Sequence, residues 1–138
     1  MAEARARVFE FQVETDRDWT VRSERGGSPL AREAAWTPEH LLLAALSRCT
    51  LTSLEYHAKR AGVEATAAVS AHGTVTRRES DGRFAFVAIE VALDLAVEPR
   101  PDAASLRKLL DVAERDCFVG ASLTAEPNYT WTIDGEEL

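Results

Sequence analysis

The sequence predicts an α+β domain in which antiparallel β-sheets carry helices against one face. Three observations lead to this class. Apolar residues recur at every second position in several short stretches, which is the period of a β-strand. Two other stretches have helical periodicity, and a long pair of strands separates them in the chain. Strands that follow one another through turns, with two separate helices, are typical of the α+β class.

The chain has 138 residues, which predicts a single domain over residues 1–138. Its 16 Lys and Arg residues are scattered among 23 Asp and Glu residues, and the net charge of -7 argues against a nucleic-acid partner. Residues 1–5 contain no apolar stretch that could begin a signal peptide. The longest apolar run is too short to span a bilayer, and Arg48 interrupts it. We therefore expect a cytoplasmic protein with no membrane partner.

The N-terminal residues predict a β-hairpin. Alternating apolar and polar residues over 8–14 predict a half-buried strand, and a turn at residues 16–18 leads to a second strand over residues 19–23. Residues 24–36 have no sustained periodicity and predict a loop, in which a third short strand could lie.

The middle of the chain predicts one long helix over residues 38–61. Thr37 is a good N-cap, Pro38 suits the first helical position, and Gly62 ends the helix. Nearly every face of the helix is apolar over residues 41–54. Such a helix must be covered by protein on all sides.

A second and longer hairpin follows the helix. Residues 64–79 form its first strand, and residues 80–83 form the turn. The return strand has one apolar face, which consists of Val87, Ile89, Val91, Leu93, Leu95 and Val97. This strand is expected to be central in the sheet, and Pro99 and Pro101 end it.

A second helix begins after its N-cap, Asp102, and has an apolar stripe formed by Leu106, Leu109, Leu110 and Ala113. Cys117 extends this stripe and is therefore predicted to face inward. A short turn over residues 118–123 leads to a last strand around Trp131, in which apolar and polar residues alternate. Residues 134–138 are predicted to be a polar tail.

The chemistry, if the chain has any, lies with two cysteines. Cys49 and Cys117 are too few for a disulfide scaffold, and no CxxC pair or Cys/His cluster has metal-ligand spacing. The three histidines stand apart and are assigned no chemistry. No glycine-rich phosphate loop, Ser/His/Asp order or HExxH pattern is present. Taken alone, each cysteine is explained as a small hydrophobic core residue.

Two features together resemble a known family. Thr37-Pro38-Glu39 opens a long Ala/Leu helix with Cys49 ten residues after the glutamate, and Cys117 follows an amphipathic helix and precedes a final strand. In these features the chain resembles the OsmC/Ohr family, thiol peroxidases that reduce organic hydroperoxides. The resemblance covers nearly the whole chain. It implies an OsmC-like fold and an intertwined homodimer, in which the long central helices of both subunits are buried between sheets.

The resemblance also implies roles for individual residues: a peroxidatic Cys49, a resolving Cys117 and a Glu39 that works with an arginine. A Cys49 thiolate would attack the peroxide and become a sulfenic acid, Cys117 would convert this acid into a disulfide, and an external dithiol would reduce it. No bound cofactor is required. A guanidinium beside the thiol would increase the thiolate fraction, and a carboxylate could hold that guanidinium in place. Glu39 is also explained as a first-turn acid that suits the helix dipole.

The resemblance does not single out the arginine. The family takes it from the segment before the glutamate, where this chain has Arg17, Arg22, Arg25 and Arg32. We favour Arg32 or Arg25, because both lie in the loop that enters the long helix. Arg48 is next to Cys49, but adjacent helical positions diverge by about 100°, so its side chain is expected to point elsewhere.

The surroundings of both cysteines depart from the best-known peroxidases of the family. Those tend to have small residues before the first cysteine and a proline directly after the second, whereas this chain has Ser47-Arg48-Cys49-Thr50 and Asp116-Cys117-Phe118-Val119. The departure favours a less characterised OsmC-like branch. Two functions stay open: an enzyme that reduces bulky, apolar organic hydroperoxides, and a non-enzymatic OsmC-like dimer that binds an apolar ligand or senses oxidants.

The predicted elements also set two spatial expectations. Cys49 lies in the middle of the long helix and Cys117 ends an inward-facing stripe, so the two cysteines are expected to meet. Glu39 and Cys49 are separated by about 15 Å of helical rise. Either the helix breaks between them or Glu39 serves the cysteine of another chain. Because residues 41–54 contain no Pro or Gly, we expect the second arrangement.

Overall fold

The computed structural model describes residues 6–138, so the expectation for residues 1–5 lies outside the described part of the chain. The chain forms two compact units, which divide between Trp36 and Thr37. The single domain over residues 1–138 stays a prediction. No helix in the described residues is long and apolar enough to cross a membrane.

The N-terminal unit contains the predicted hairpin in a shorter form. Strand β1 (Val13–Thr15) pairs antiparallel with strand β2 (Val21–Ser23). The chain reverses between them through a turn in which the Asp16 N–H donates to the Thr20 carbonyl. Leu30 forms an isolated bridge with Val21, which is all that exists of a third strand in this loop.

The prediction of a half-buried strand over residues 8–14 is wrong in its length and its burial. Pairing begins only at Val13, and the side chains of Phe9 and Phe11 are 51% and 68% exposed. Alternation determines which side chains share a face, but it cannot supply a partner strand or a covering layer. The second strand also begins later than predicted, because Trp19 has a φ of +70°, which a strand residue cannot adopt.

The second unit begins with helix α1 (Pro38–Arg60), whose predicted ends are confirmed. Thr37 is the N-cap, and its side chain accepts from the N–H of His40. The reverse bond runs from the Thr37 N–H to His40 Nδ1, so His40, to which the sequence assigned no role, completes a capping box. At the other end Gly62 has a φ of +76°, and the Val63 N–H donates back to the Ala58 carbonyl.

Within one chain, α1 is buried on one side only. The buried residues form a stripe at helical spacing: Leu46, Thr50, Ser53, Leu54 and Ala58. The side chain of Leu41 is 37% exposed, Ala45 is exposed, and Leu42, Leu43, Cys49 and Leu51 are partly buried. The cover on all sides that we expected is therefore not provided by the described residues of a single chain.

The main sheet has four strands in the order β3-β4-β5-β6. Their bounds are β3 (Glu64–Arg77), β4 (Phe84–Glu98), β5 (Asn128–Ile133) and β6 (Glu136–Glu137). Strand β4 lies between β3 and β5, as predicted for a central strand. The last residues, predicted to be a tail, instead contain β6, which pairs antiparallel with β5.

The α+β class is confirmed, but the main sheet is mixed and not purely antiparallel. Strand β5 runs parallel to β4, with Leu93 opposite Trp131. The connection between these two strands contains a helix, and a crossover of this length allows parallel pairing where a short turn does not.

A β-bulge changes the predicted inner face of β4. Ile89, Val91, Leu93 and Leu95 are buried as predicted. The register shifts where Val75 pairs with Phe86, so Val87 has no partner of its own and its side chain is 41% exposed. Phe86 packs against the core instead. Strict alternation placed these two residues on the wrong faces, because an extra residue in one strand inverts the pattern beyond it.

Helix α2 (Ala103–Arg115) has the predicted cap and stripe. The Asp102 carboxylate accepts from the Ser105 N–H, and the four stripe residues are buried against α1 and the sheet. The Trp131 indole N–H donates to Glu114, which connects β5 to α2. The predicted turn after Cys117 is a short helix, α3 (Phe118–Ala121).

Candidate active site

The structure brings the two cysteines together where α1 meets the end of α2. Cys49 lies in the middle of α1 and is partly buried, whereas Cys117 lies between α2 and α3 and is 0% exposed. Two consecutive backbone N–H groups bind the two sulfurs: Val119 donates to Cys49 Sγ and Gly120 donates to Cys117 Sγ, each at 3.4 Å. The expectation that the cysteines meet is confirmed. Both are free thiols.

Local chemistry explains why the chain turns at Cys117. Helix α2 ends at its C-cap, Asp116, and Cys117 acts as the N-cap of α3 by accepting the Gly120 N–H. The Asp116 carboxylate is 2.8 Å from Nε2 of His57, which lies in α1. This contact connects α1, which carries Cys49, to the end of α2, which Cys117 follows. It also gives a structural role to a second histidine that the sequence left without one.

Burial is the main influence on the Cys49 thiol and raises its pKa. The Val119 N–H acts in the opposite direction, because it stabilises the thiolate, and the neighbouring Cys117 thiol raises the pKa further. A single chain therefore favours the protonated form of Cys49. A positive group beside this sulfur would increase the fraction of thiolate near neutral pH.

Two residues that the sequence reading missed lie beside Cys117. The Thr50 hydroxyl is 3.7 Å from Cys117 Sγ, and Tyr129 of β5 has its hydroxyl close enough for Cys117 to act on the tyrosine's pKa. Thr50 could have been suspected, because it is a polar residue on the helical stripe that the core buries. Nothing in the sequence connects Tyr129 with α1, because their proximity arises only when β5 is inserted next to β4.

Glu39 lies in the first turn of α1, and its side chain is exposed. Helix α1 continues without interruption from there past Cys49, so the alternative in which the helix breaks between them is excluded. A single chain does not bring Glu39 to its own Cys49, since about 15 Å of helical rise separates them. The role of Glu39 stays a prediction.

The candidate arginines before Glu39 lie in the N-terminal unit, where several contact aromatic rings or acids. The Arg32 guanidinium lies 4.2 Å above the Trp19 ring, and that of Arg25 lies 5.8 Å from the Phe11 ring. Arg22 forms an ion pair with Asp16. Arg48 is exposed on α1. The choice of Arg32 or Arg25 as the functional arginine stays a prediction.

The described residues contain no group of three or more His, Cys, Asp or Glu side chains arranged to hold a metal ion. The groups at the site that bear on chemistry include two thiols, two hydroxyls and the backbone N–H donors of Val119 and Gly120. Such a set can bind and stabilise sulfur anions and can form a disulfide.

Solved structures with the same architecture include members of one family. An OsmC-like protein from Mycoplasma pneumoniae superposes with a TM-score of 0.70 at 16% identity, covering 94% of this chain and 99% of that one. For an organic hydroperoxide resistance protein from Elizabethkingia anophelis the TM-score is 0.65 at 17% identity, with 96% and 100% coverage. The organic hydroperoxide resistance protein OhrB of Bacillus subtilis superposes with a TM-score of 0.60 at 19% identity, covering 91% of this chain and 96% of that one. At such identities the likeness establishes the fold.

A comparison with curated proteins gave no match. A family model does match: the model described as OsmC-like protein matches residues 31–132, a segment that includes α1, both cysteines and all of β5 but its last residue. This match covers well over half of the sequence and includes the elements that form the thiol pair. The chain therefore belongs to the OsmC-like protein family.

Proposed function

We propose that the chain is a cysteine-based thiol peroxidase that reduces organic hydroperoxides to alcohols. The observation that carries the proposal is the thiol pair: a partly buried Cys49 and a fully buried Cys117, with adjacent N–H groups donating one to each sulfur. The fold shared with proteins named for organic hydroperoxide resistance supports it.

The reaction under this proposal has three steps. The Cys49 thiolate attacks one peroxide oxygen, the O–O bond breaks, and the alkoxide takes a proton and leaves as the alcohol. The resulting Cys49 sulfenic acid condenses with the Cys117 thiol, which forms a disulfide and releases water. An external dithiol then reduces the disulfide by thiol exchange. The protein needs no bound cofactor, and a reducing cytoplasm would keep its two cysteines available as thiols.

Because burial raises the pKa of Cys49, a cation beside the sulfur would make this reaction faster near neutral pH. We assign it to Arg32 or Arg25, which would stabilise the thiolate, with Glu39 holding the guanidinium by a charge-assisted pair. Because Glu39 and Cys49 lie far apart on one helix, the carboxylate is supplied by Glu39 of the partner subunit. The active form is therefore a homodimer, whose second copy covers the partly exposed apolar side of α1.

The substrate class follows from the side chains around Cys49. The Phe118 backbone N–H is close enough to act on the Cys49 pKa, and the Phe118 side chain is 56% exposed. Leu42 lies two turns before Cys49 on the same face of α1 and is partly buried. An apolar surface of this kind favours bulky hydroperoxides of fatty or aromatic compounds over hydrogen peroxide.

Consumption of cumene hydroperoxide in the presence of a dithiol tests the proposal. The wild-type protein is expected to turn over, and Cys49→Ser is expected to be inactive because the attacking sulfur is lost. Thr66→Val is the control, since Thr66 lies in β3 and is exposed. Turnover that survives in Cys49→Ser would refute the assignment. A folded wild-type protein that consumes no hydroperoxide but binds an apolar ligand would establish the non-enzymatic alternative.

A further inference from the structure

A small polar cluster surrounds the Cys117 sulfur inside the hydrophobic core. Cys117 and Thr50 are both 0% exposed, and the hydroxyl oxygen of Tyr129 is buried. Core residues such as Leu46 and Leu110 are buried around the same helices. Hydroxyl groups in such a position destabilise a fold unless their hydrogen bonds are made, and valine or phenylalanine would fill the same space without that cost. Packing alone therefore does not explain why hydroxyl groups lie at these buried positions.

The Thr50 hydroxyl has two partners. Its oxygen lies 2.9 Å from the Leu46 carbonyl oxygen, one turn earlier in α1, and 3.7 Å from Cys117 Sγ. A hydroxyl has one proton and two lone pairs, so it can donate to only one partner at a time. When Cys117 is a thiol, its proton can point to the Thr50 oxygen while Thr50 donates to Leu46. When Cys117 loses its proton, the Thr50 hydroxyl can turn and donate to the sulfur.

The Tyr129 hydroxyl is a second donor beside this pair. Burial raises the pKa of Tyr129 to about 12, so the phenol keeps its proton at neutral pH. Thr50 and Cys117 are near enough to act on this pKa, but the Tyr129 oxygen makes no hydrogen bond of ordinary geometry with the described residues. Tyr129 thus lies next to the sulfur with its donor capacity unused in this state.

Gly120 leaves open the space that the cluster occupies. Its N–H donates to Cys117 Sγ, and a Cβ at this position would lie 3.3 Å from the Tyr129 oxygen and 3.5 Å from the sulfur. Donors from three separate elements, α1, α3 and β5, therefore surround one sulfur atom.

We propose that Thr50 and Tyr129 are positioning residues that hold Cys117 for rapid disulfide closure with the sulfenic acid of Cys49. This inference rests on the proposed function. In the closure step the Cys117 sulfur bonds to the Cys49 sulfur and the S–O bond of the sulfenic acid breaks. The departing oxygen keeps its own hydrogen, takes the proton of the Cys117 thiol and leaves as water. As the S–H bond breaks, the Thr50 proton turns from the Leu46 carbonyl to the sulfur.

The rate of closure determines how much of the enzyme is over-oxidised, because a second peroxide molecule can oxidise the Cys49 sulfenic acid to a sulfinic acid before the disulfide forms. Positioning of Cys117 is therefore expected to appear as resistance to over-oxidation. If Thr50 or Tyr129 had only a structural role, its substitution would alter stability and leave the ratio of disulfide to sulfinic acid unchanged.

The test compares Thr50→Val, Thr50→Ser and Tyr129→Phe with two controls, Thr66→Val and Thr76→Val, which make the same chemical change as Thr50→Val at exposed positions in β3. Each reduced protein receives cumene hydroperoxide and is quenched with acid at successive times. Mass spectrometry of the peptides then measures the disulfide and the sulfinic acid of Cys49. Circular dichroism and thermal unfolding verify that each variant is folded.

Thr50→Val is expected to close the disulfide about tenfold more slowly and to accumulate sulfinic acid, because one hydrogen bond to the sulfur is lost. Thr50→Ser, which keeps the hydroxyl, is expected to stay within about twofold of the wild type, and Tyr129→Phe to slow closure about threefold. Both controls should match the wild type. Equal closure rates in folded Thr50→Val and wild type, or an equal loss in Thr50→Ser, would overturn the proposal.

Diamide separates this inference from the proposed function. It accepts two electrons from a pair of thiols: one thiol adds to its N=N bond, and the second thiol displaces the adduct to form the disulfide. If the wild-type protein does not react with hydroperoxide, the peroxidase proposal fails, yet closure by Cys117 can still be timed with diamide. Slower closure in Thr50→Val than in Thr66→Val would still support the positioning role, and equal rates would refute it.

Discussion

The two sulfur atoms differ in their surroundings, and the difference fixes the order of their reactions under the proposed function. Cys49 is partly buried, whereas Cys117 is fully buried behind it. A peroxide can therefore reach Cys49 and not Cys117. Cys117, the buried cysteine, is therefore expected to react only with Cys49.

Cys117→Ser is expected to leave Cys49 able to reduce one equivalent of hydroperoxide and then to over-oxidise to the sulfinic acid, because no resolving thiol is left. The measurement is the mass of the Cys49 peptide after one and after several equivalents of cumene hydroperoxide. Cys49→Ser is the control, in which the buried Cys117 should stay reduced. Sustained turnover by Cys117→Ser with a dithiol present would show that Cys117 has no resolving role.

At the scale of the elements, Gly73 marks a close contact among β3, β4 and α1. Gly73 lies in β3, and the ring of Phe86 in β4 lies directly over it. A Cβ on Gly73 would be 2.4 Å from Cε1 of this ring and 3.2 Å from Cδ2 of Leu43 in α1. A residue without a side chain is therefore needed at position 73, because the bulge turns the Phe86 ring inward over it.

Gly73→Ala is expected to lower the free energy of unfolding by about 1–3 kcal/mol, because the ring must be displaced. Urea unfolding measures the loss. In a Phe86→Ala background, where the obstructing ring is absent, the same substitution should have a much smaller effect. An equal loss in both backgrounds would mean that Phe86 is not the cause.

The contact between His57 and Asp116 connects α1 to the end of α2 and is expected to be sensitive to acid. The pKa of Asp116 is lowered, first by the Arg115 side chain and also by His57, against a rise caused by burial. A lowered pKa in the folded state means that the stabilisation is complete above the unfolded-state pKa. It is lost as the pH falls through the folded-state value.

Asp116→Asn is therefore expected to destabilise the protein near neutral pH and to match the wild type in acid, once the pH is below the lowered folded-state pKa of Asp116. The Asp116 side chain is 35% exposed, so solvent screens the pair and the expected difference is only about 0.5 kcal/mol. Urea midpoints at both pH values test this. Asp111→Asn is the control, because the Asp111 pair with Arg107 is longer, at 3.9 Å, and more exposed. A difference that persists unchanged in acid would contradict the assignment.

At the scale of the whole molecule, the proposed homodimer would account for the uncovered side of α1 and would bring a Glu39 to each Cys49. A second copy would cover the partly exposed residues of α1 and supply Glu39 of the partner subunit to each Cys49. A symmetric dimer of this kind contains two equivalent shared sites.

Mixing inactive Cys49→Ser with inactive Glu39→Ala is expected to recover activity, because a heterodimer has one intact site and one doubly damaged site. Random reassociation makes half of the dimers heterodimers, so about a quarter of the wild-type activity should return after co-refolding. Native mass spectrometry measures the heterodimer fraction, and each variant refolded alone is the control. Heterodimers without activity would show that Glu39 does not act across the interface.

Features that depend on neighbours in the chain were predictable from the sequence. Thr37, Gly62 and Asp102 mark the ends of the two long helices through hydrogen bonds to residues only a few positions away. The apolar stripe of α2 predicted the inward position of Cys117, because helical periodicity alone decides which residues share a face. The family resemblance then directed attention to Cys49, which periodicity alone would have left as a core residue.

Features that depend on distant pairing were decided only by the tertiary structure. The sequence gives no signal that β5 inserts parallel to β4, yet this pairing is what brings Tyr129 to Thr50 and Cys117. The bulge that exposes Val87 is likewise a property of two strands together, because neither strand alone determines its register. Local hydrogen bonds and periodicity act within a few residues and can be read from the chain. The cluster around Cys117 instead joins segments far apart in sequence, and only folding makes them neighbours.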